Sequence, residues 1–217
     1  LLMDNNWKFS IRKIIGLTIG RIKLHRIFSH AWVPGISQVG YAKKLGFSEK
    51  KIKTGFYCAD TRLFEKYADL SVKSKECSFP KVFLYVGRYV RHKGIFDLWE
   101  AFIQFKKETS TDWELWCIGT GEEFENKIEH ESIRHFGFVQ PNNLGDFIGK
   151  SGVYVLPSHF EPWGVTVHEF SAAGMPIICS DKVGAAKQFV EQNKNGFIFK
   201  RSEEHTSELQ SPCNLVC

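Results

Sequence analysis

A chain of 217 residues has room for one full domain plus part of another, with a sizeable buried core. Its 43% hydrophobic and 24% charged residues are those of an ordinary globular protein, and no apolar run is long enough to cross a bilayer as a helix. Net charge is +5, rising to +7 over residues 1–200, which favours an anionic partner such as nucleotide phosphates, an acidic glycan or membrane headgroups; so moderate an excess is no nucleic-acid signal, and no nucleic-acid partner is expected.

Residues 9–28, FSIRKIIGLTIGRIKLHRIF, set Ile11, Ile14, Ile15, Ile19 and Ile22 among Arg and Lys at roughly helical spacing. Two readings stand, a basic amphipathic helix resting peripherally on an anionic membrane and a domain surface helix with a solvated basic face. The chain opens at Leu1-Leu2-Met3 in the middle of what reads as a helical lead-in, so the true N-terminus is expected upstream. An apolar run ending HAWVPG follows, then helix-like SQVGYAKKLG with Gly46 as its stop, and short strand-like KIKTGFY. EKYADLSVKSKECSFP, residues 65–80, loses periodicity and gains charge and Ser, which reads as a linker.

From Lys81 the pattern becomes regular. The apolar runs KVFLYVG, WELWCIG, IRHFGFV, GVYVLPS, PIICSD and GFIF alternate with helical segments around 93–108, 122–131, 142–150, 164–173 and 184–191. Strands apolar on both faces and alternating with helices imply a parallel sheet covered on two sides, a doubly wound Rossmann-like α/β domain over 81–200. After Phe199 the chain runs on as RSEEHTSELQSPCNLVC without periodicity. Residues 201–211 resemble the in-frame translation of a sequencing-library adapter, so 201–217 is expected to be a non-native tail.

Six cysteines, at 58, 77, 117, 179, 213 and 217, show neither CxxC spacing nor a zinc-like pairing with His, and no metal is expected. Cys117 and Cys179 fall inside apolar strands and read as reduced core residues, which fits the cytosol.

In a doubly wound sheet the ligand lies beyond the carboxyl ends of the strands. That rule gathers Arg88 and Lys93 after the first strand, Gly119 and Gly121 after the second, Phe138 and Val139 at the end of the third, and His159 to Gly164 after the fourth. Arg88 and Lys93 suit a diphosphate, one as a fork and one as a point charge. Glu161 and Glu169 are separated by seven residues in SHFEPWGVTVHEF, where Pro162 and Gly164 place a turn just before a helix. Glu161 then lies on the loop and Glu169 about one turn inside, around a helix N-terminus whose free N–H groups suit phosphate. The apolar neighbours of Glu169 would cover it, and a ribose diol is a fitting partner because both hydroxyls donate. Phe138, Val139 and His159 each have a plain structural reading as well, in the core or as a local loop contact.

GRYVRHKG, GTGEE, EPWGVTVHE, AAGMPIICSD and NGFIF, in this order over residues 81–200, resemble the C-terminal half of the retaining glycosyltransferases of family four. HAWVPG through KTGFYCADTRLF is similar to that family's exit from its N-terminal domain, making 1–64 a remnant of the acceptor-side domain. The resemblance implies a two-domain GT-B fold, no metal or other cofactor, and a nucleotide-diphosphate sugar as co-substrate. It implies that Arg88 and Lys93 hold the diphosphate and Glu169 the ribose. The N–H groups of Gly164, Val165 and Thr166 would meet phosphate or sugar, Phe138 and Val139 the base, and Glu161 the donor sugar as the catalytic-side group. The acceptor would be a glycan or lipid-linked molecule and the location cytoplasmic, at most peripheral to the inner membrane face. Most of the acceptor-side domain is missing from the pattern, so this chain is expected to bind a donor without completing transfer. A nucleotide-sugar-binding protein without catalysis is a second reading. A nicotinamide oxidoreductase is a third, disfavoured because GRYVRHKG lacks the GxGxxG spacing.

Overall fold

The computed structural model describes residues 1–3, 20–24, 26–55 and 57–201, without the side chains of 70–77. Most of the basic segment 9–28 and the tail 202–217 therefore lie outside the described residues; residues 20–24 and 26–27 are helical. Among the described residues no helix is long and apolar enough to cross a membrane.

The N-terminal segment holds β1 (Ala31–Trp32), α1 (Ile36–Lys44) and β2 (Ile52–Lys53), with β1 and β2 paired in parallel. Gly46 takes φ +92° just past α1 and its N–H returns to the Lys43 carbonyl at 2.9 Å, the stop that only glycine adopts without strain. Ala31, Val33, Ala42, Leu45 and Phe47 form a small core of their own.

The segment read as a linker is instead largely helical, as α2 (Thr61–Cys77). Asp60 starts it by accepting the Leu63 N–H at 3.1 Å. The charges that hid the periodicity, Arg62, Glu65, Lys66 and Asp69, are exposed, while Phe64 is buried and Tyr67 and Ala68 are half-covered on the same face. That face packs on the helices that follow 144 and 164 in the next domain.

The second domain runs β3 (Val82–Val86), α3 (Ile95–Thr109), β4 (Glu114–Ile118), β5 (Ile133–His135), α4 (Gly145–Gly149), β6 (Val153–Leu156), α5 (Val165–Ala172), β7 (Ile177–Ser180), α6 (Ala186–Phe189) and β8 (Gly196–Phe199). All six strands pair in parallel in the order β5-β4-β3-β6-β7-β8, so the order reverses between β3 and β6. This is the Rossmann-like α/β sheet the alternation predicts. Every residue of the central β6 is buried, which explains why VYVL shows no polar alternation. On α3, Ile95, Leu98, Trp99 and Phe102 bury one stripe at helical spacing, each such side chain contributing about 1.5–3 kcal/mol.

The helix expected at 122–131 is not formed; a single 3-10 turn, Phe124–Asn126, stands there. Only Phe124 and Ile128 pack on the core, too few apolar positions to anchor a helical face. Glu123 is drawn off to Arg91 at 2.8 Å and to Asn126 at 2.7 Å. The segments at 142–150 and 184–191 shrink to α4 and α6, and Pro141–Asn143 becomes a 3-10 turn. Cys117 and Cys179 are free and buried, and burial pushes each thiol up to about 12, leaving both unreactive.

Candidate functional site

The loops leaving β3, β4, β6 and β7 meet at the reversal of strand order. After β3, the buried Tyr85 hydroxyl donates to the Arg88 carbonyl at 2.9 Å, fixing the backbone of the turn while the Arg88 side chain stays exposed. The Gly87 and Tyr89 N–H groups donate to the carbonyls of Ile118 and Thr120, each at 3.0 Å. At Gly119, φ is +134° and a Cβ would stand 2.0 Å from the Gly87 carbonyl oxygen, so the turns after β3 and β4 touch backbone to backbone.

The turn Arg91–Lys93 leads into α3. Its His92 carbonyl accepts from the N–H of His159 at 2.9 Å, which ties this turn to the loop after β6. That loop is held on its far side by β7's exit: Glu161 N–H donates to Lys182 O at 3.2 Å, and the N–H groups of Gly184 and Ala185 donate to Glu161 O and Trp163 O at 3.0 and 2.7 Å.

These tethers bring Lys93 Nζ directly against Glu161 Oε2. Both side chains are largely covered, at 19% and 14% exposure, so the pair is partly desolvated and losing either partner leaves a costly lone charge. Lys93 and Glu161 are thus one unit and not two walls of a cleft.

Gly164, at φ +91°, turns the loop into α5. Among the described residues no side chain caps this helix, and no acidic residue stands in its first turn, so the charge at its positive end suits an anion. Below it, the fully buried Tyr154 hydroxyl lies 2.7 Å from Thr166 Oγ1 and 3.3 Å from Val86 O, bridging the end of β3 to the start of α5. Val165 and Thr166 are half-covered at the open end.

Glu169 sits one turn further along α5, half-buried. Burial raises its carboxyl pKa above the ordinary value, and the Asp60 charge adds to the shift. A carboxyl so placed gains from hydroxyl donors. Phe138 is 66% exposed beyond β5, and Val139 packs partly on the core. Gly137 between them and β5 gives its carbonyl to Gly119 N–H at 2.7 Å, which keeps this edge beside the β4 turn.

His159 is committed elsewhere. Its Nε2 stands 2.7 Å from both Asp97 Oδ2 and Arg201 Nη2, with Arg201 also paired to Asp97 and donating to Pro157 O at 2.8 Å. Burial lowers the His159 pKa, and the contacts of Nε2 with the Asp97 carboxylate and the Arg201 guanidinium occupy the imidazole within this cluster. Sequence reasoning missed Asp97, Tyr85 and Tyr154; a tyrosine hydroxyl inside an apolar strand, which needs a partner when buried, was the available signal for the last two. Among the described residues no cluster of three or more His, Cys, Asp or Glu side chains is placed to hold a metal.

The parallel sheet, its order and the crevice where that order reverses define a doubly wound, Rossmann-like α/β domain. The chain belongs to the glycosyl transferases group 1 family, whose model matches residues 68–209. It is 33% identical over 136 residues to the alpha-monoglucosyldiacylglycerol synthase of Acholeplasma laidlawii, covering 59% of this chain and 33% of that protein. It is 31% identical over 128 residues to an uncharacterized glycosyltransferase of Haemophilus influenzae, covering 56% of this chain and 36% of the relative. The chain therefore spans about a third of the length of these curated relatives. Among solved structures, a glycosyltransferase from Rickettsia africae matches with a TM-score of 0.65 at 17% identity, over 92% of this chain and 55% of its own. Anabaena HepE in complex with UDP and glucose matches with a TM-score of 0.63 at 16% identity, over 92% and 56%. At such identities these two matches speak to the fold alone.

Proposed function

We propose that the chain is the donor-binding part of a retaining glycosyltransferase that moves a sugar from a nucleotide-diphosphate sugar to a glycan or lipid-linked acceptor. The observation that carries the reading is the Lys93–Glu161 pair beside the uncapped start of α5, at the strand-order reversal. Family membership supports it, and HepE, which shares the fold, is a protein that holds UDP and glucose.

In this reading Arg88, Lys93 and the N–H groups of Gly164, Val165 and Thr166 hold the diphosphate. Glu169 takes the ribose hydroxyls, and the edge at Phe138 and Val139 meets the base. As the glycosidic bond breaks, negative charge grows on the departing diphosphate, and the two cations and the helix end act where that charge appears. Glu161, held by Lys93, orients the donor sugar and balances positive charge developing on it. Transfer itself needs the acceptor-side domain of the full-length protein, working in the cytoplasm and at the inner membrane face for a lipid-linked acceptor.

The test is calorimetric titration with UDP-glucose, UDP-N-acetylglucosamine and GDP-mannose. At least one binds the wild-type chain, and Lys93→Ala weakens it by about tenfold or more, the scale of a charge-assisted contact to phosphate. Affinity unchanged by both Lys93→Ala and Arg88→Ala removes the phosphate clamp.

A further inference from the structure

The loop carrying Glu161 is gripped from a second direction, by the N-terminal segment. Gln38, on the buried side of α1, donates from Nε2 to the Pro162 carbonyl at 2.7 Å, across 124 positions of chain. The side chain is fully buried. Gly184 makes the approach possible, since a Cβ there would stand 2.0 Å from Pro162 O and 2.9 Å from Gln38 Nε2. The contact is reinforced next door: Trp163 is stacked on Tyr57 with centroids 6.2 Å apart, and a Cβ at Gly35 would fall 2.6 Å from the Trp163 ring.

Burying an amide costs free energy that an apolar side chain would not. Packing alone is therefore a poor reason for glutamine at this position, whereas an amide can fix the direction of one peptide unit. That unit joins Pro162 to Trp163 and is adjacent to Glu161, whose carboxylate must stay against Lys93. Turning the Pro162 carbonyl away would swing the Glu161 backbone and carry the carboxylate off its partner.

We propose that Gln38 is a positioning residue for the donor sugar: through the Pro162 carbonyl it sets the place of Glu161, so that the N-terminal segment controls sugar recognition while the sheet domain alone holds the nucleotide. The inference rests on the reading of Glu161 as the sugar-side contact. It predicts a split that a merely structural glutamine would not produce, loss of the increment in affinity that the sugar adds, with nucleoside diphosphate binding retained.

The experiment compares the wild-type chain with Gln38→Met, which keeps side-chain length without the N–H, and with Gln38→Glu, which keeps shape but cannot donate when ionised. UDP is titrated against UDP-glucose and UDP-N-acetylglucosamine, and GDP against GDP-mannose. Both variants are expected to bind the nucleoside diphosphate within about twofold of wild type and the nucleotide sugar about fivefold more weakly, the scale of one hydrogen bond. Equal weakening of both ligands, or no change in either, overturns the proposal. Amide hydrogen exchange gives a readout without ligand: Gly184 and Ala185 exchange faster in Gln38→Met while Leu84 and Tyr85 do not. Unaltered exchange at Gly184 and Ala185 overturns the proposal at its structural step. Should the wild-type chain bind none of the nucleotide sugars, the functional reading fails, and the exchange result still decides whether Gln38 holds the loop.

Discussion

The N-terminal segment and the six-stranded domain bury apolar surface by unequal means. Around β1 and β2 a handful of side chains are covered, and Leu2, Ile27, Trp32 and Ile36 remain 48–70% exposed. The larger domain encloses β3, β4, β6 and β7 between helices, with Leu84, Leu115, Tyr154 and Ile177 at no more than 1% exposure. A two-stranded sheet has little stability of its own. The segment therefore leans on the larger domain through Gln38, Gly35 and Tyr57, and the contact it leans on is the loop of the candidate site. The weaker region is positioned by the stronger one and in return orients its most chemically loaded loop.

Core truncations should separate the two regions most sharply. Phe170 stacks on Tyr154 with ring centroids 4.0 Å apart and meets Phe64 edge-on at 5.8 Å. Phe170→Ala is expected to cost about 3–5 kcal/mol in urea unfolding. Phe47→Ala, in the small core, should raise hydrogen exchange over residues 31–53 and leave β3 protected. Loss of β3 protection in Phe47→Ala would show one cooperative unit and break the comparison.

Glycine replacements give the next effect. Gly119→Ala forces φ +134° on alanine and sets its Cβ 2.0 Å from a backbone oxygen, whereas Gly55 takes φ +88° with nothing within 4 Å of a Cβ. Gly55→Ala should cost about 1–2 kcal/mol, the left-handed strain alone, and Gly119→Ala clearly more because the Gly87 backbone cannot move aside. Equal costs would mean the β3 and β4 turns are less tightly joined than described.

A pH series tests Glu169. Its folded pKa is raised, so the protonated form is favoured in the fold; its contribution to stability is fully present below the unfolded value and lost as pH rises through the folded one. Ribose binding has the opposite sign, because the ionised carboxylate is the better acceptor. Nucleoside diphosphate affinity should fall as pH is lowered through the raised pKa, and Glu169→Gln should remove that dependence. An unchanged pH profile in Glu169→Gln would take the ribose role from this residue. The smallest effect is expected at Gly40, exposed in α1 with open space around it, where Gly40→Ala should stabilise the segment by about 0.5–1 kcal/mol.

Much of the larger domain was legible because local signals agreed. Six runs apolar on both faces, punctuated by glycine and proline, became six strands within a few residues of their predicted bounds. α2 was not legible because the exposed Glu65, Lys66 and Asp69 interrupt the short covered patch of Phe64, Tyr67 and Ala68. The segment 122–131 misled because the strand–helix alternation called for a helix there, while Glu123 pairs with Arg91, 32 positions away. At the site, the strand-end rule put Arg88, Lys93, Glu161 and Glu169 near one another. It could not give the contacts, since Lys93 meets Glu161 across 68 positions and Gln38 meets Pro162 across 124.

The most direct measurement is hydrogen exchange of the chain with and without the tightest nucleotide sugar of the calorimetric panel. Protection over residues 87–94 and 161–169, with residues 1–3 and 27–54 unaffected apart from the neighbourhood of Gln38, is the predicted footprint. Protection confined to the hollow lined by Leu1, Leu2, Ile27, Phe28, Trp32 and Thr54 would contradict the account.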